Sequence, residues 1–243
     1  MFPLKNNYKL ISELYNISEP DVITNTSIDR SIDSLSIWGP KFWYSLHNGA
    51  AKFPLIASNL YINKIKGFII GLPYILPCEK CTKHAIMFIK KHYDRLDDIC
   101  SGRIKLFNFF VDFHNEINVI NGKHIMSYEN AYKLYMLYSP PDVWGPKFWY
   151  SLHNGAAKYP IKASIVYINK MKEFILGIPY ILSCEKCLNH ANLFIEKHYD
   201  RLEDICSERI KLFDFFVDFH NEVNRINRKP SMSYEEAYKL YHM

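Results

Sequence analysis

The chain has 243 residues, of which 49% are hydrophobic and 16% aromatic, so apolar side chains suffice for a well-formed core. The formal net charge of +5 comes from 30 basic and 25 acidic residues, and this mild surplus excludes a typical nucleic-acid-binding protein. No window approaches the roughly 18 consecutive apolar residues of a membrane-spanning helix. The first residues lack the pattern of a secretory signal. We therefore expect no membrane segment and a cytoplasmic location.

The N-terminal extension, residues 1–37, precedes any repeat and contains no cysteine. A short helix is predicted over residues 8–15. From residue 38 onwards the chain repeats itself, because the sequence of residues 38–47 returns letter for letter at 144–153. The offset of 106 residues then holds to the end of the chain without an insertion. A repeat of this length far exceeds the about 20–45 residues of a solenoid unit, so each copy is expected to be a domain.

The two copies are predicted at residues 38–138 and 144–243, joined by a short proline-containing linker at 139–143. Helical periodicity runs through each copy, and no stretch shows the alternation of a β-strand. In the first copy, helices are predicted to begin at Gly39-Pro40, cover about 57–72, begin again at Pro77-Cys78, and cover about 104–121 and 127–138. The sequence therefore predicts an all-α fold of two tandem four-helix bundles, each with a short fifth helix.

Each copy carries a Cys-x-x-Cys pair at a predicted helix start, Cys78 and Cys81 in the first copy and Cys184 and Cys187 in the second. The free N–H groups and the dipole at a helix N-terminus favour a thiolate, and the three-residue spacing allows the two sulfurs to form a disulfide. In a reducing compartment such a pair indicates redox catalysis or metal binding. The alternative without chemistry is a pair of small buried apolar residues.

A zinc site is the stronger alternative. Cys78, Cys81, His84 and Cys100 are ligands of suitable type, and the second copy repeats them as Cys184, Cys187, His190 and Cys206. Three of the four fall on one helical turn, whereas a structural zinc site usually joins two separate segments. This alternative predicts a zinc-stabilised helical binding scaffold without turnover. Outside it, Cys100 and Cys206 are interpreted as buried unpaired thiols, with a bridge between the copies or a reactive thiol as the other options.

Polar side chains also border the apolar stripes of two predicted helices. His47 lies four residues after Trp43, and Asn118 lies four residues after His114, so each pair shares a helix face. Buried polar groups need partners, because an unpaired one costs about 1–3 kcal/mol. The two pairs together indicate a polar cavity with aromatic walls, which suits a planar cofactor with ring nitrogens and ribose hydroxyls.

Three ordered motifs now resemble one family. Trp-Gly-Pro-Lys-Phe-Trp-x-x-Leu-His, Pro-Cys-x-x-Cys-x-x-His-Ala and Phe-His-Asn-x-(Ile/Val)-Asn are similar to those of the Erv/ALR family of FAD-dependent sulfhydryl oxidases, especially its compact viral members of the African swine fever virus and poxvirus type. The resemblance covers both copies nearly end to end. It implies a four-helix bundle with a short fifth helix that holds FAD against the dithiol helix.

The resemblance also assigns roles residue by residue. It makes Cys81 the cysteine that faces the flavin and Cys78 the one that exchanges with substrate, with Cys187 and Cys184 as their counterparts. The implied FAD contacts in the first copy are Gly39, Trp43, His47, His114, Asn118 and Lys123. In the second copy they are Gly145, Trp149, His153, His220, Asn224 and Lys229. No metal ligand is implied.

The implied activity is disulfide formation, with electrons passing from thiols through Cys-x-x-Cys to FAD and then to oxygen, which yields hydrogen peroxide. No further cysteine pair is present in residues 1–37, so the expected electron donor is a dithiol protein substrate or a thioredoxin-like relay protein. The two copies could form an intrachain pseudo-dimer or a homo-oligomer, and one catalytic copy with one structural copy is a further alternative. If the chain is viral, the expected location is the host cytoplasm or the virion.

Overall fold

The computed structural model describes residues 30–135 and 140–241, with side chains described from residue 36 onwards. Within these ranges all regular elements are helical, and the β-type pairing is an isolated antiparallel bridge between Lys162 and Glu208. The predicted all-α fold is confirmed. The helix predicted over residues 8–15 lies outside the described residues.

The helices of the first copy agree with the predicted order. They are α1 Arg30–Lys52, α2 Asn59–Gly71, α3 Glu79–Lys91, α4 Leu96–Ile99, α5 Arg103–Ile120 and α6 Tyr128–Tyr135, with 3₁₀ turns at Leu72–Ile75 and Tyr93–Arg95. The second copy has α7 Pro141–Ala157, α8 Ile165–Ile181, α9 Glu185–Lys197, α10 Leu202–Ile205, α11 Arg209–Ile226 and α12 Tyr234–Tyr241, with a 3₁₀ turn at Tyr199–Arg201.

Local sequence signals account for several helix ends. The hydroxyl of Ser58 accepts the N–H of Tyr61 at 3.5 Å and so caps α2, as Ser164 caps α8. The Ser127 hydroxyl accepts the N–H of Asn130 at 3.2 Å, and α6 begins at Tyr128, one residue after the predicted start at 127. In the first copy, α2 ends at Gly71 and a 3₁₀ turn follows at Leu72–Ile75, whereas α8 continues through Pro179.

The start of the first helix was predicted wrongly. Pro40 and Pro146 lie inside α1 and α7, which begin at Arg30 and Pro141. Proline in a helix interior removes one hydrogen bond, but tertiary packing holds the turn that precedes it. In α1 the buried Trp38 ring stacks on Phe42 with ring centroids 4.5 Å apart, across the proline. The helical start at Pro141 also means that part of the predicted linker belongs to α7.

The two copies pack against each other through their first two helices, α1 with α7 and α2 with α8. Phe68 of α2 stacks on its equivalent Phe174 of α8 with centroids 4.8 Å apart. Lys41 lies over the Tyr150 ring at 3.5 Å, and the equivalent Lys147 lies over the Tyr44 ring at 4.3 Å. The contacts repeat in pairs of equivalent residues, so the two copies are related by an approximate two-fold axis.

Gly71 and Gly177 make the close approach of α2 and α8 possible. A methyl group on Gly71 would overlap the Lys170 carbonyl and the Phe174 side chain, and one on Gly177 would overlap Lys64 and Phe68. The two glycines and the central Phe68–Phe174 pair therefore allow the second helices of the two copies to pack closely.

Candidate redox site

The dithiol of each copy lies at the start of the third helix of that copy, as predicted. Cys78 is the N-cap of α3, with extended backbone angles, and its Sγ atom accepts the backbone N–H of Cys81 at 3.2 Å. Cys184 caps α9 in the same way, accepting the N–H of Cys187 at 3.3 Å. All four thiols are half-buried. The first cysteine of each pair therefore sits where backbone donors stabilise a thiolate.

Electrostatics distinguish the two thiols of the first copy. A hydrogen bond from the Cys81 thiol lowers the pKa of Cys78 to about 6, against the effect of burial and with help from the backbone N–H groups and the charge of Lys80. The same hydrogen bond and burial raise the pKa of Cys81. In the second copy, the pKa of Cys187 is raised to about 12, mainly by burial and secondly by the neighbouring Cys184. The reduced pair of the first copy thus carries its negative charge on Cys78.

In the first copy only, a threonine side chain connects the dithiol helix with the turn that precedes the dithiol. The hydroxyl of Thr82 lies 3.1 Å from the Pro73 carbonyl and 3.2 Å from the Cys78 carbonyl, and can donate to either. This links α3 to the turn that precedes Cys78. Leu188 occupies the equivalent position in the second copy and has no hydroxyl.

A histidine pair joins the first and fifth helices of each copy. His47 Nε2 lies 3.0 Å from His114 Nδ1, and His153 Nε2 lies 3.1 Å from His220 Nδ1. The proton sits on one nitrogen of each pair, so one ring donates and the other accepts. The sequence placed these residues on two faces bordering one cavity, and the structure brings them into direct contact.

Tryptophan covers the second histidine of each pair. The Trp43 ring stacks on His114 with centroids 4.3 Å apart and an interplanar angle of 5°, and Trp149 stacks on His220 at 4.4 Å and 8°. The other edge of Trp43 meets Phe113 at 5.0 Å. These rings form an aromatic wall beside the histidine pair.

The aromatic wall continues to the dithiol helix. Phe113 of α5 stacks on Phe88 of α3 with centroids 4.7 Å apart, and the equivalent rings Phe219 and Phe194 are also 4.7 Å apart. One contiguous set of rings therefore connects the tryptophan–histidine group with the helix that begins at Cys78. The predicted aromatic-walled site therefore packs against the helix that carries the dithiol, at Phe88 in the first copy and Phe194 in the second.

Sequence reasoning missed one wall of the site. Tyr135 stacks on His47 with centroids 4.5 Å apart, and Tyr241 stacks on His153 at 4.4 Å. Both tyrosines are buried at the end of the short last helix of their copy, α6 for Tyr135 and α12 for Tyr241. Tyr135 and Tyr241 occupy equivalent positions in the two copies, and this was the available sequence signal. No local sequence feature showed that α6 would pack against α1, or α12 against α7.

The inner histidines are almost fully enclosed. His47 and His153 are each 1% exposed, and the Nδ1 atom of each has no hydrogen-bond partner. Burial lowers the pKa of both to about 3, with the neighbouring histidine as the second cause. Burial also lowers the pKa of His114 and His220 to about 4, with Lys123 and Lys229 as the second causes. All four rings are neutral at neutral pH.

The remaining predicted contacts lie at the edges of this group. Gly39 and Gly145 have open space where a Cβ atom would stand, so no protein contact demands glycine there. Asn118 and Lys123 lie together, because the Lys123 N–H donates to the Asn118 carbonyl at 2.8 Å. Asn224 and Lys229 repeat this contact at the same distance.

The four candidate zinc ligands of each copy do not come together in the described part of the chain. Among residues 30–135 and 140–241, no three His, Cys, Asp or Glu side chains are arranged to hold a metal ion. Cys100 and Cys206 are fully buried free thiols, and burial raises the pKa of each to about 12. They are not joined to each other.

The donor set fits a planar, partly polar group such as a flavin nucleotide. A buried ring nitrogen without a hydrogen-bond partner lowers the stability of the fold unless a ligand forms a hydrogen bond with it. Each copy has one such atom, the Nδ1 atom of His47 in the first copy and of His153 in the second. Stacked aromatic rings line the same region, and the open positions at Gly39 and Gly145 adjoin it along the first helices.

In the described part of the chain, no helix has the length and apolar character needed to cross a membrane.

Fold and site together define an all-α protein with one dithiol and one aromatic–histidine group in each of two copies. The Erv1/Alr family model matches residues 40–136 and again residues 146–242. The chain therefore belongs to the Erv1/Alr family, as two tandem copies.

Several curated relatives are similar to a single copy. A protein of Invertebrate iridescent virus 6 with the provisional name FAD-linked sulfhydryl oxidase 347L is 36% identical over 93 residues, which cover 37% of this chain and 84% of the relative. The FAD-linked sulfhydryl oxidase of an African swine fever virus isolate (Pig/Kenya/KEN-50/1950) is 31% identical over 99 residues, covering 40% and 80%. The mitochondrial FAD-linked sulfhydryl oxidase ERV1 of Saccharomyces cerevisiae is 30% identical over 100 residues, covering 40% and 51%. No solved structure shows a significant match.

Proposed function

We propose that the chain is an FAD-linked thiol oxidase with one catalytic unit in each copy. The observation that carries the proposal is repeated in both copies: a dithiol caps one helix, and packed rings connect that helix with a buried histidine whose Nδ1 atom has no partner. The relatives named as FAD-linked sulfhydryl oxidases support the same activity.

The residues that would hold FAD follow from this arrangement. Trp43 and its neighbouring rings would contact the planar part of the cofactor, and the His47 Nδ1 atom would share a hydrogen bond with it. Lys123 lies close enough to lower the pKa of His114 and provides positive charge for the phosphates. The equivalent residues of the second copy are Trp149, His153, His220 and Lys229. Gly39, Asn118, Gly145 and Asn224 complete the proposed contacts.

The protein side of the chemistry is thiol–disulfide exchange at Cys78. A substrate thiolate attacks the Sγ atom of Cys78 in the oxidised pair, forming a mixed disulfide and releasing the Cys81 thiolate. A second substrate thiolate then attacks the substrate sulfur of this mixed disulfide. The substrate disulfide forms, and Cys78 leaves as the thiolate that its capping N–H group stabilises. The second copy would use Cys184 and Cys187 in the same way.

Bound FAD would supply the remaining chemistry by accepting two electrons from the reduced pair and delivering them to oxygen, with hydrogen peroxide as the product. The proposed electron donors are dithiol protein substrates or a thioredoxin-like relay protein. Association of the two copies as an intrachain pseudo-dimer is part of the proposal. A location in the cytoplasm, or in the virion for a viral chain, stays a prediction.

Spectroscopy combined with an oxygen electrode tests the proposal. We expect the purified protein to be yellow, with a flavin absorbance band, and to consume oxygen and release hydrogen peroxide when dithiothreitol is added. A colourless protein that contains zinc and consumes no oxygen after incubation with FAD would contradict the oxidase and favour the binding scaffold.

A further inference from the structure

The segments that lead into the two dithiols pack against the opposite copy. We name residues 72–77 and 178–183 the dithiol leads. Tyr74 of the first lead meets Tyr167 of α8 edge to face, with centroids 4.8 Å apart. Tyr180 of the second lead meets Tyr61 of α2 in the same way at 4.9 Å. Tyr74 and Tyr180, the tyrosines of the leads, each lie four residues before the first cysteine of their dithiol.

Glycine brings the backbones into contact at the same places. A Cβ atom on Gly155 of α7 would overlap the carbonyl oxygen of Ile75, in the first lead. The equivalent atom on Gly49 of α1 would overlap the carbonyl oxygen of Ile181, in the second lead. Backbone cannot yield as a flexible side chain does, so the first helix of each copy fixes the position of the lead in the other copy.

The charge next to each dithiol also acts across the interface. Burial raises the pKa of Tyr167, and the carboxylate of Glu79, which follows Cys78 in sequence, raises it further. Burial is also the largest cause that raises the pKa of Tyr61, followed by Tyr180 and then by Glu185, which follows Cys184 in sequence. The opposite copy therefore reaches the first residue of each dithiol helix as well as the lead.

We propose that each copy of the repeat positions the redox dithiol of the other copy. Gly155 and Tyr167 hold the lead of Cys78, whereas Gly49 and Tyr61 hold the lead of Cys184. These are positioning residues, because their observed contacts are with the leads. The inference rests on the proposed function only in that the dithiols are taken to be redox-active.

The dependence is unequal between the copies. In the first copy, the Thr82 hydroxyl lies within hydrogen-bonding distance of the Pro73 carbonyl and so ties the lead to α3 of its own copy. Leu188 cannot make this bond in the second copy. The Cys184 lead therefore relies more on the opposite copy than the Cys78 lead does. Disturbing the interface should affect Cys184 more strongly than Cys78.

Copy-resolved alkylation tests the proposal on the full-length, reduced protein. The chain is treated with iodoacetamide, and the modification rates of Cys78 and Cys184 are followed by mass spectrometry of their two peptides, which differ in sequence. Thiolate availability controls this rate, so we expect Gly155→Ala to slow alkylation of Cys78 by about threefold, with little change at Cys184. Gly49→Ala should slow Cys184, by a larger factor than Gly155→Ala slows Cys78.

Gly67→Ala is the matched control, because a Cβ atom there would make only an ordinary contact, 3.4 Å from the Glu173 carbonyl oxygen in the same interface. It should leave both rates unchanged. Equal slowing of both cysteines by each variant, or slowing in the substituted copy itself, would overturn the proposal. If the alanine variants fail to fold, Tyr167→Leu and Tyr61→Leu must give the same crossed pattern, and its absence there overturns the proposal equally.

Oxygen consumption is measured on the same preparations. If the unsubstituted chain consumes no oxygen with FAD and dithiothreitol, the oxidase proposal fails, but the crossed alkylation pattern still decides the positioning proposal. If oxygen is consumed and alkylation is not crossed, the oxidase stands and the cross-copy positioning is wrong.

Discussion

His47 Nε2 lies 3.0 Å from His114 Nδ1, and this contact joins the first and fifth helices of one copy beneath the Trp43 ring. Burial keeps both rings neutral, and the buried Nδ1 atom of His47 has no hydrogen-bond partner. The same relationship between His153 and His220 recurs in the second copy. Two equivalent sites of this kind give the chain two places for a cofactor, and the expectations below follow from that duplication.

Flavin content should be close to two FAD per chain, because each copy keeps the complete set of aromatic and histidine residues. The flavin released by denaturation is quantified by absorbance and compared with the protein concentration after reconstitution with excess FAD. A ratio near one would mean that one copy has become a structural partner without cofactor.

Loss of the second cysteine of each pair should stop turnover without removing the flavin. In the double variant Cys81→Ser, Cys187→Ser no intramolecular disulfide can form at either dithiol, so we expect no oxygen consumption with dithiothreitol. The matched control is Cys100→Ser with Cys206→Ser, which changes two buried thiols and should leave the rate nearly intact. Sustained activity in the first variant would show that the Cys-x-x-Cys pairs do not carry the reaction.

The double variant His114→Ala, His220→Ala should lose flavin and melt at a lower temperature. It removes the partner of His47 and of His153, and leaves a second buried nitrogen unsatisfied in each copy. A ligand that binds only the folded chain stabilises it by about 2.7 kcal/mol per site at a hundredfold excess over Kd, so added FAD should restore part of the loss.

Thermal melts with and without FAD, and with EDTA, measure this effect. His84→Ala with His190→Ala is the control, since these histidines lie on the dithiol helices and belong only to the alternative zinc site. The control should respond to FAD as the unsubstituted chain does. Wild-type stability that follows the chelator and ignores FAD would support the zinc scaffold instead.

Acidification should destabilise the fold through the same histidines. The pKa values of His47 and His153 fall from an ordinary 6.5 to about 3 on folding, so between these values the unfolded chain binds more protons. The free energy of unfolding therefore decreases as the pH falls through this window. Urea denaturation at about pH 7 and about pH 5 measures the slope, and His47→Asn with His153→Asn should flatten it. An unchanged slope would mean that other groups dominate.

The turn after the fifth helix should respond oppositely to substitution in the two copies. Gly122 has a φ of +64° and its counterpart Arg228 has a φ of +55°, so a residue with a Cβ atom occupies the left-handed region only in the second copy. Arg228→Gly should raise the free energy of unfolding by about 1 kcal/mol, and Gly122→Ala should lower it by a similar amount. Denaturant titration of both variants measures the changes, and equal signs would contradict the explanation.

Much of the architecture was predictable from the sequence. The 106-residue offset revealed two copies, and apolar periodicity located the helices of the first copy within a few residues of their observed ends, apart from the start of α1. Cys78 and Cys184 were correctly placed at helix starts, because the cap position depends on residues close in sequence. Spacings of three and four along a helix fix which side chains share a face, and so grouped Trp43 with His47 and His114 with Asn118.

Contacts between distant segments were decided only by the tertiary structure. No spacing indicated that His47 would touch His114, that Tyr135 would close over His47, or that Gly155 would press against Ile75 of the other copy. The sequence predicts a helix start at Gly39-Pro40, yet α1 begins at Arg30, with Trp38 packed on Phe42 across the proline. Helical periodicity acts over a few residues and is written in the chain, whereas these contacts depend on how whole helices fill the space between them.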